Sequence, residues 1–252
     1  MYNLLIALGV SLVAFALGAV AGEWYYGFAP ALLVGPPLYF ILMRRTGAQV
    51  EQIMAQAVSH LQTGRVKEGI ATIESARPLG KWQFLVEQQI DAQLGTLEYM
   101  QRNYKKARPL LEKAWKRNWQ AMAMLAIMDA RDQKLDEGLA RLDKTELLAR
   151  NEPLFYAVKV WLLLKGKRTD EAQKVLAAGI EAVDAPDGLK KLQKSVANDK
   201  MKRFDYGKTF GQGWYQFFPD QYPNPQVGRR GMRAQPRNAR SFPQPRGGGR
   251  PR

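Results

Sequence analysis

The chain has 252 residues, no cysteine, a single histidine and a formal net charge of +15. Without cysteine there can be no disulfide, thiolate metal centre or cysteine nucleophile. With His60 as the sole imidazole, no Ser/His/Asp set and no metal-ligand spacing, the sequence points to a non-enzyme that needs no cofactor.

The first 43 residues carry one charged side chain, Glu23, before Arg44-Arg45. Residues 2–22 and 24–43 are each uncharged and about 20 residues long, enough helix to span roughly 30 Å of hydrocarbon. Glu23 leaves room for only a tight turn, so the two predicted spans run antiparallel and the lipid bilayer is an expected partner. The excess of Lys and Arg belongs on the cytoplasmic side. The expected location is therefore a membrane of bacterial inner-membrane type, with residues 44–252 in the cytoplasm and the Glu23 turn outside. Trp24, Tyr25 and Tyr26 fall at that turn, where amphipathic rings favour headgroups. Two other readings exist. Ala19-Val20-Ala21 is similar to a signal-peptide cleavage site, although no Lys or Arg precedes the apolar run. Pro30, Pro36 and Pro37 would kink a helix, which allows a re-entrant second segment. Gly18 and Gly22 form a small-xxx-small pattern, read as packing against the second span.

Beyond the anchor, a pattern recurs from about residue 50 to 180. Its clearest copy runs from Gln93 to Trp115: Leu94-Gly95, a polar turn at 101–103, Tyr104, small Ala107, bulky Leu111 and small Ala114. The small residue recurs as Gly69, Ala107, Gly138 and Ala172, at spacings of 38, 31 and 34. Four positions later stand Ile73, Leu111, Leu142 and Leu176, followed three on by Ala76, Ala114, Thr145 and Gly179. Three before the small residue stand Val66, Tyr104, Leu135 and Thr169. Small residues let helices approach, and the bulky residue four on fills the same face. The pattern resembles the tetratricopeptide (TPR) repeat, a helix-turn-helix unit of about 34 residues. The resemblance implies an all-α fold: two membrane helices, about four TPR-like repeats over residues 46–185 forming a short α-solenoid, then a cap.

In TPR proteins partners bind the face lined by the first helices. Here the resemblance implies a groove of Met54, Val58, Ala92, Thr96, Tyr99, Ala123, Ile127, Ala157, Trp161 and Leu164, largely neutral and apolar. The family's Lys/Asn clamp for acidic chain ends is missing, so the implied ligand is an apolar helix or extended segment of a protein partner. The other reading of these residues is helix-on-helix packing. Asp136-Glu137 and Asp170-Glu171 fall where second helices begin and favour the helix dipole. Gly207-Lys208-Thr209 lacks the earlier glycine of a phosphate loop and is set aside.

Asp187 to Phe204 is predicted as a capping helix with a basic face, inside a cap region of residues 186–218. Phe210 to Phe218 is read as a hook folding back on the last repeat, or else as an aromatic membrane anchor. Residues 219–252 hold eight Arg, seven Pro and five Gly against one acid, Asp220. Such a composition is predicted to be disordered. Arg229, Arg230, Arg233, Arg237, Arg240, Arg246, Arg250 and Arg252 are the candidate contacts to anionic lipid headgroups or to RNA. The expected function is a membrane-anchored TPR scaffold that binds a protein partner at the cytoplasmic face. The alternatives are a membrane-tethered RNA- or ribosome-associated factor, and a non-catalytic subunit of a membrane enzyme or envelope-assembly complex.

Overall fold

A computed structural model describes residues 1–221, and among these the fold is all-helical. The eight candidate arginines of the tail lie outside the described residues.

The uncharged N-terminal run forms α1 (Tyr2–Val20), and a 3-10 turn at Trp24–Gly27 leads into α2 (Phe28–Gln62). Each is long and apolar enough to cross a membrane. They pack antiparallel: Phe15 meets Phe28 edge-on at 5.1 Å, the Ser11 hydroxyl donates to the Ala31 carbonyl at 3.2 Å, and Asn3 Nδ2 donates to Thr46 Oγ1 at 2.9 Å. Gly18 is what lets them approach, since a Cβ there would sit 2.9 Å from the Gly27 Cα.

α2 departs from the sequence reading in two ways. The apolar run stops at Met43, but the helix continues through Arg44-Arg45 to Gln62, so the 45/46 boundary between anchor and repeats is not a break in structure. No strong breaker follows Pro37, and Thr46, Val50 and Ala57 keep one face buried at helical spacing. The prolines do not interrupt it either. Pro30 lies in the first turn, where no intrahelical N–H partner is needed. Pro36 and Pro37 only remove the bonds to the carbonyls of Leu32 and Leu33.

From the end of α2 to residue 182 the chain is a succession of antiparallel helix pairs. α3 (Val66–Ser75) folds back on the end of α2. Then come α4 (Val86–Met100) with α5 (Tyr104–Lys113), α6 (Trp119–Arg131) with α7 (Leu135–Asp143), and α8 (Pro153–Lys165) with α9 (Thr169–Ala182). The first helices lie side by side, α4 on α6, α6 on α8, and α8 on α10 (Asp187–Ala197). The four column residues Val66, Tyr104, Leu135 and Thr169 are the first residues of the second helices. Gly69, Ala107, Gly138 and Ala172 are all buried, as are Ile73, Leu111, Leu142 and Leu176. At Gly138 the approach is backbone to backbone, because a Cβ would meet the Ala126 carbonyl oxygen at 2.7 Å. Thr169, the departure from the apolar column, is exposed.

One shared device was not legible in the columns. Two residues before each second helix stands a left-handed residue: Gly64 (φ 77°), Arg102 (66°), Gln133 (64°) and Lys167 (59°). The next residue donates its N–H five positions back: Arg65 to His60, Asn103 to Glu98, Lys134 to Asp129, Arg168 to Leu163. This is the Schellman ending of a helix, where glycine is favoured. Only the first copy has it, which hides the turns from a search for glycine. Gln133 is exposed, so Gln133→Gly should stabilise the fold by about 1 kcal/mol by removing the left-handed penalty. A rise in the urea midpoint at unchanged m-value would show it; a fall would mean that unfolded-state entropy dominates.

The predicted cap helix over 187–204 is also shorter. α10 stops at Ala197, where Asp199 turns left-handed (φ 52°) and the Lys200 N–H bonds the Ser195 carbonyl; a 3-10 turn, Met201–Arg203, follows.

Candidate functional site

The face of α4, α6 and α8 that the sequence marks as a partner groove holds the protein's own C-terminal segment. The Asp205 carboxylate caps α11 (Tyr206–Phe210) by accepting from the Lys208 N–H at 2.9 Å. Gly211, at φ 69° and ψ −155°, supplies a conformation open only to glycine and starts α12 (Gln212–Phe217). A 3-10 turn at Pro219–Gln221 follows.

These short elements are held by rings. Tyr206 stacks on Trp214 with centroids 4.2 Å apart, Trp214 on Phe218 at 4.2 Å, and Phe218 packs on Trp161 of α8 at 4.5 Å. Phe217 lies 5.6 Å from Trp119 of α6. Further along, the Tyr99 hydroxyl of α4 donates to the Phe217 carbonyl at 2.7 Å. The segment therefore reaches back over three helix pairs, further than a hook onto the last one. Trp214, Phe217 and Phe218 are buried, which removes them as a membrane anchor.

A polar clasp closes the far end. The Asp220 carboxylate accepts from Tyr104 at 2.9 Å and from Arg131 at 2.7 Å, and pairs with Arg102 at 3.2 Å. Arg102 also donates to the Pro219 carbonyl at 2.8 Å, and the Arg131 guanidinium lies 4.5 Å over the Tyr104 ring. Partial burial would raise the Asp220 pKa, but the hydrogen bonds from Tyr104 and Arg131 and the nearby cationic charge hold it below the ordinary value. Burial pushes the Tyr99 and Tyr206 phenols well above theirs, so Tyr99 is a fixed donor at physiological pH. Residues 219–221, assigned by composition to the tail, thus belong to the folded body.

The candidate groove residues divide accordingly. Ala92, Tyr99, Ala123, Ile127 and Ala157 are buried and form no open surface. Trp161 and Leu164 are half-buried, Trp161 beneath Phe218 and Leu164 against the main core. Thr96 is half-buried and donates to the Ala92 carbonyl of its own helix at 2.8 Å. Met54 is half-buried in a separate N-terminal core with Val50 and Ile90, and Val58 is exposed on α2. The expectation of an open groove is corrected at the buried positions: the apolar character read as ligand-binding is used inside the fold. Trp119, Tyr104, Arg102 and Arg131 were missed, since the repeat columns do not say which residues meet a segment about 100 positions away.

Acidic pairs sit where helix dipoles favour them, in the first turns of α7 and α9, and Arg168 bridges Asp136 and Glu171. Among the described residues no three His, Cys, Asp or Glu side chains converge on a metal-sized site. The arrangement offers ring stacking and charge-assisted hydrogen bonds, which bind and position. No known protein family, curated protein or solved structure matches the chain.

Proposed function

We propose that the chain is a non-catalytic, membrane-anchored adaptor of TPR type. Residues 1–43 act as two antiparallel spans. The helix pairs act as a short solenoid that holds a protein partner at the cytoplasmic face of a bacterial-style inner membrane. The observation that carries this reading is the segment 204–221: the face of α4, α6 and α8 already accommodates a short aromatic stretch ended by an acid. A partner segment of the same chemistry, apolar rings followed by a carboxylate, would be read by Trp119, Trp161, Tyr99 and the Arg102/Arg131 pair once the chain's own copy is displaced. The continuous α2 runs from the anchor into the N-terminal core, where Val50 and Ala57 share a cluster with Ile90 and Leu94 of α4.

Asp220→Arg tests the reading, because it sets a cation against Arg102 and Arg131 without entering the core. With a photo-reactive residue in place of Trp161, crosslinking of a defined partner in intact cells should rise several-fold in this variant, as expected when a competing intramolecular ligand is weakened. Equal yields with and without the substitution would place the partner elsewhere.

A further inference from the structure

The loop between α3 and α4, residues 76–85, exposes two large aromatic rings. Trp82 and Phe84, two positions apart in this loop, are 43% and 56% exposed. The loop that carries them is well pinned. Arg77 pairs with the buried Asp91 at 3.0 Å, and Leu79 packs into the N-terminal core. The N-terminal ammonium donates to the Lys81 carbonyl and the Asn3 N–H to the Trp82 carbonyl, while Tyr2 meets the Trp82 ring edge-on at 5.3 Å. Leu85 then takes φ 71°, an uncommon conformation for a branched residue, as the chain turns into α4. Two large rings are therefore held outward by a loop fastened at several points.

Their height relative to the hairpin identifies what they face. Asn3 bonds Trp82 through its N–H and Thr46 through its side chain, so Trp82 lies level with Thr46. Thr46 directly follows Arg44-Arg45 on α2, and at about 1.5 Å of rise per residue the three occupy one thin layer. That layer is where the uncharged surface of the hairpin ends and the first cations begin, the level of lipid headgroups. Trp and Tyr favour this zone, and Lys81, Arg44 and Arg45, all exposed, supply charge for anionic headgroups.

We infer that the 77–85 loop is a third membrane contact: Trp82 and Phe84 insert at the cytoplasmic headgroup layer beside the hairpin and fix the tilt of the helix pairs against the bilayer. This rests on the membrane-anchored reading above. Two spans alone define an attachment point but leave the helix pairs free to tilt against the bilayer. A contact offset from the hairpin axis resists that tilt and gives the groove a set height above the membrane.

The natural absence of cysteine makes single labels clean. Full-length Phe84→Cys, Leu12→Cys and Leu147→Cys, each carrying an environment-sensitive fluorophore, would be reconstituted into phosphatidylcholine vesicles with a phosphatidylglycerol fraction. Lipids bearing nitroxides at headgroup or chain depth would serve as quenchers. Leu12 is an exposed hairpin position and Leu147 an exposed position between α7 and α8. The expected result is strong quenching at 84 by shallow nitroxides, strong quenching at 12 by deeper ones, and little at 147. If 12 is quenched while 84 behaves like 147, the inference fails and the hairpin anchor stands. If 12 is not quenched, the anchor fails and the inference with it. Quenching at both 84 and 147 would mean that the body lies flat, which overturns a loop-specific contact. A label at 84 that is shielded in a concentration-dependent way but insensitive to lipid nitroxides would assign the patch to a second copy and overturn it as well.

Discussion

Trp214→Ala should lower the unfolding free energy by about 3–5 kcal/mol, the range for removing a fully buried large aromatic side chain. Trp214 is completely buried, stacked between Tyr206 and Phe218, and its Nε1 donates to Gln221 Oε1 at 3.0 Å. The cavity would be walled by the rings of Tyr206, Phe210 and Phe218, whose own stacking limits collapse. Urea unfolding in detergent, followed by circular dichroism, should show a lower midpoint at an unchanged slope. The competing picture is a peripheral strap. In that case the loss would stay below about 1 kcal/mol, within the spread of ordinary surface changes. Limited proteolysis would then cut between residues 204 and 221 while the helix pairs stayed folded. The distinction matters for the proposed adaptor. If detaching the segment costs about 3–4 kcal/mol, a partner competing for the same face loses about two to three orders of magnitude in apparent affinity. Such a partner would need several aromatic anchors of its own, or the high local concentration that a shared membrane provides.

What the sequence revealed and what it hid follow from the range of the interactions. The helix pairs were legible because their packing repeats: the small residue that permits approach and the bulky one four positions on recur at each pair, and all eight are buried. The first residues of the second helices were legible for the same reason. The left-handed turns were not, because Arg102, Gln133 and Lys167 occupy positions that hydrogen bonding, not residue type, forces to positive φ. The end of α2 was misread because a change from apolar to charged surface was taken as a change of element. A helix tolerates that change when its buried stripe continues, as it does through Thr46, Val50 and Ala57. The candidate groove was the hardest. Tyr99 and Trp161 are apolar surfaces with a polar tip whether they face a partner or their own chain, and only the tertiary contacts with Phe217 and Phe218 tell which.

The second large effect lies between pairs, at Asp129 of α6. Its carboxylate is 1% exposed, accepts from Arg108 of α5 at 2.6 Å and from Arg141 of α7 at 2.7 Å, and Arg108 also reaches Asp132 at 2.6 Å. One carboxylate therefore joins a helix of the preceding pair to its own. Partial burial works against charge on Arg108, yet the hydrogen bond and charge of Asp129 hold its pKa above the ordinary value. Removing one member of a buried ion pair usually costs about 3–5 kcal/mol, but the Arg108 and Arg141 side chains keep roughly a third of their exposure and can recover water. Asp129→Ala should therefore cost about 2–3 kcal/mol, and Asp129→Asn, which keeps shape and one acceptor, about 1–2 kcal/mol. Adding Arg108→Ala and Arg141→Ala to Asp129→Ala should recover part of the loss, since no buried charge is then left without a partner. Equilibrium unfolding at low and high salt separates this from a surface pair. A buried bridge keeps its value as salt rises, because screening acts weakly on charges away from solvent. A cost for Asp129→Ala below about 0.5 kcal/mol, or one that vanishes in high salt, would show that the packing of α5, α6 and α7 stands on its apolar columns alone.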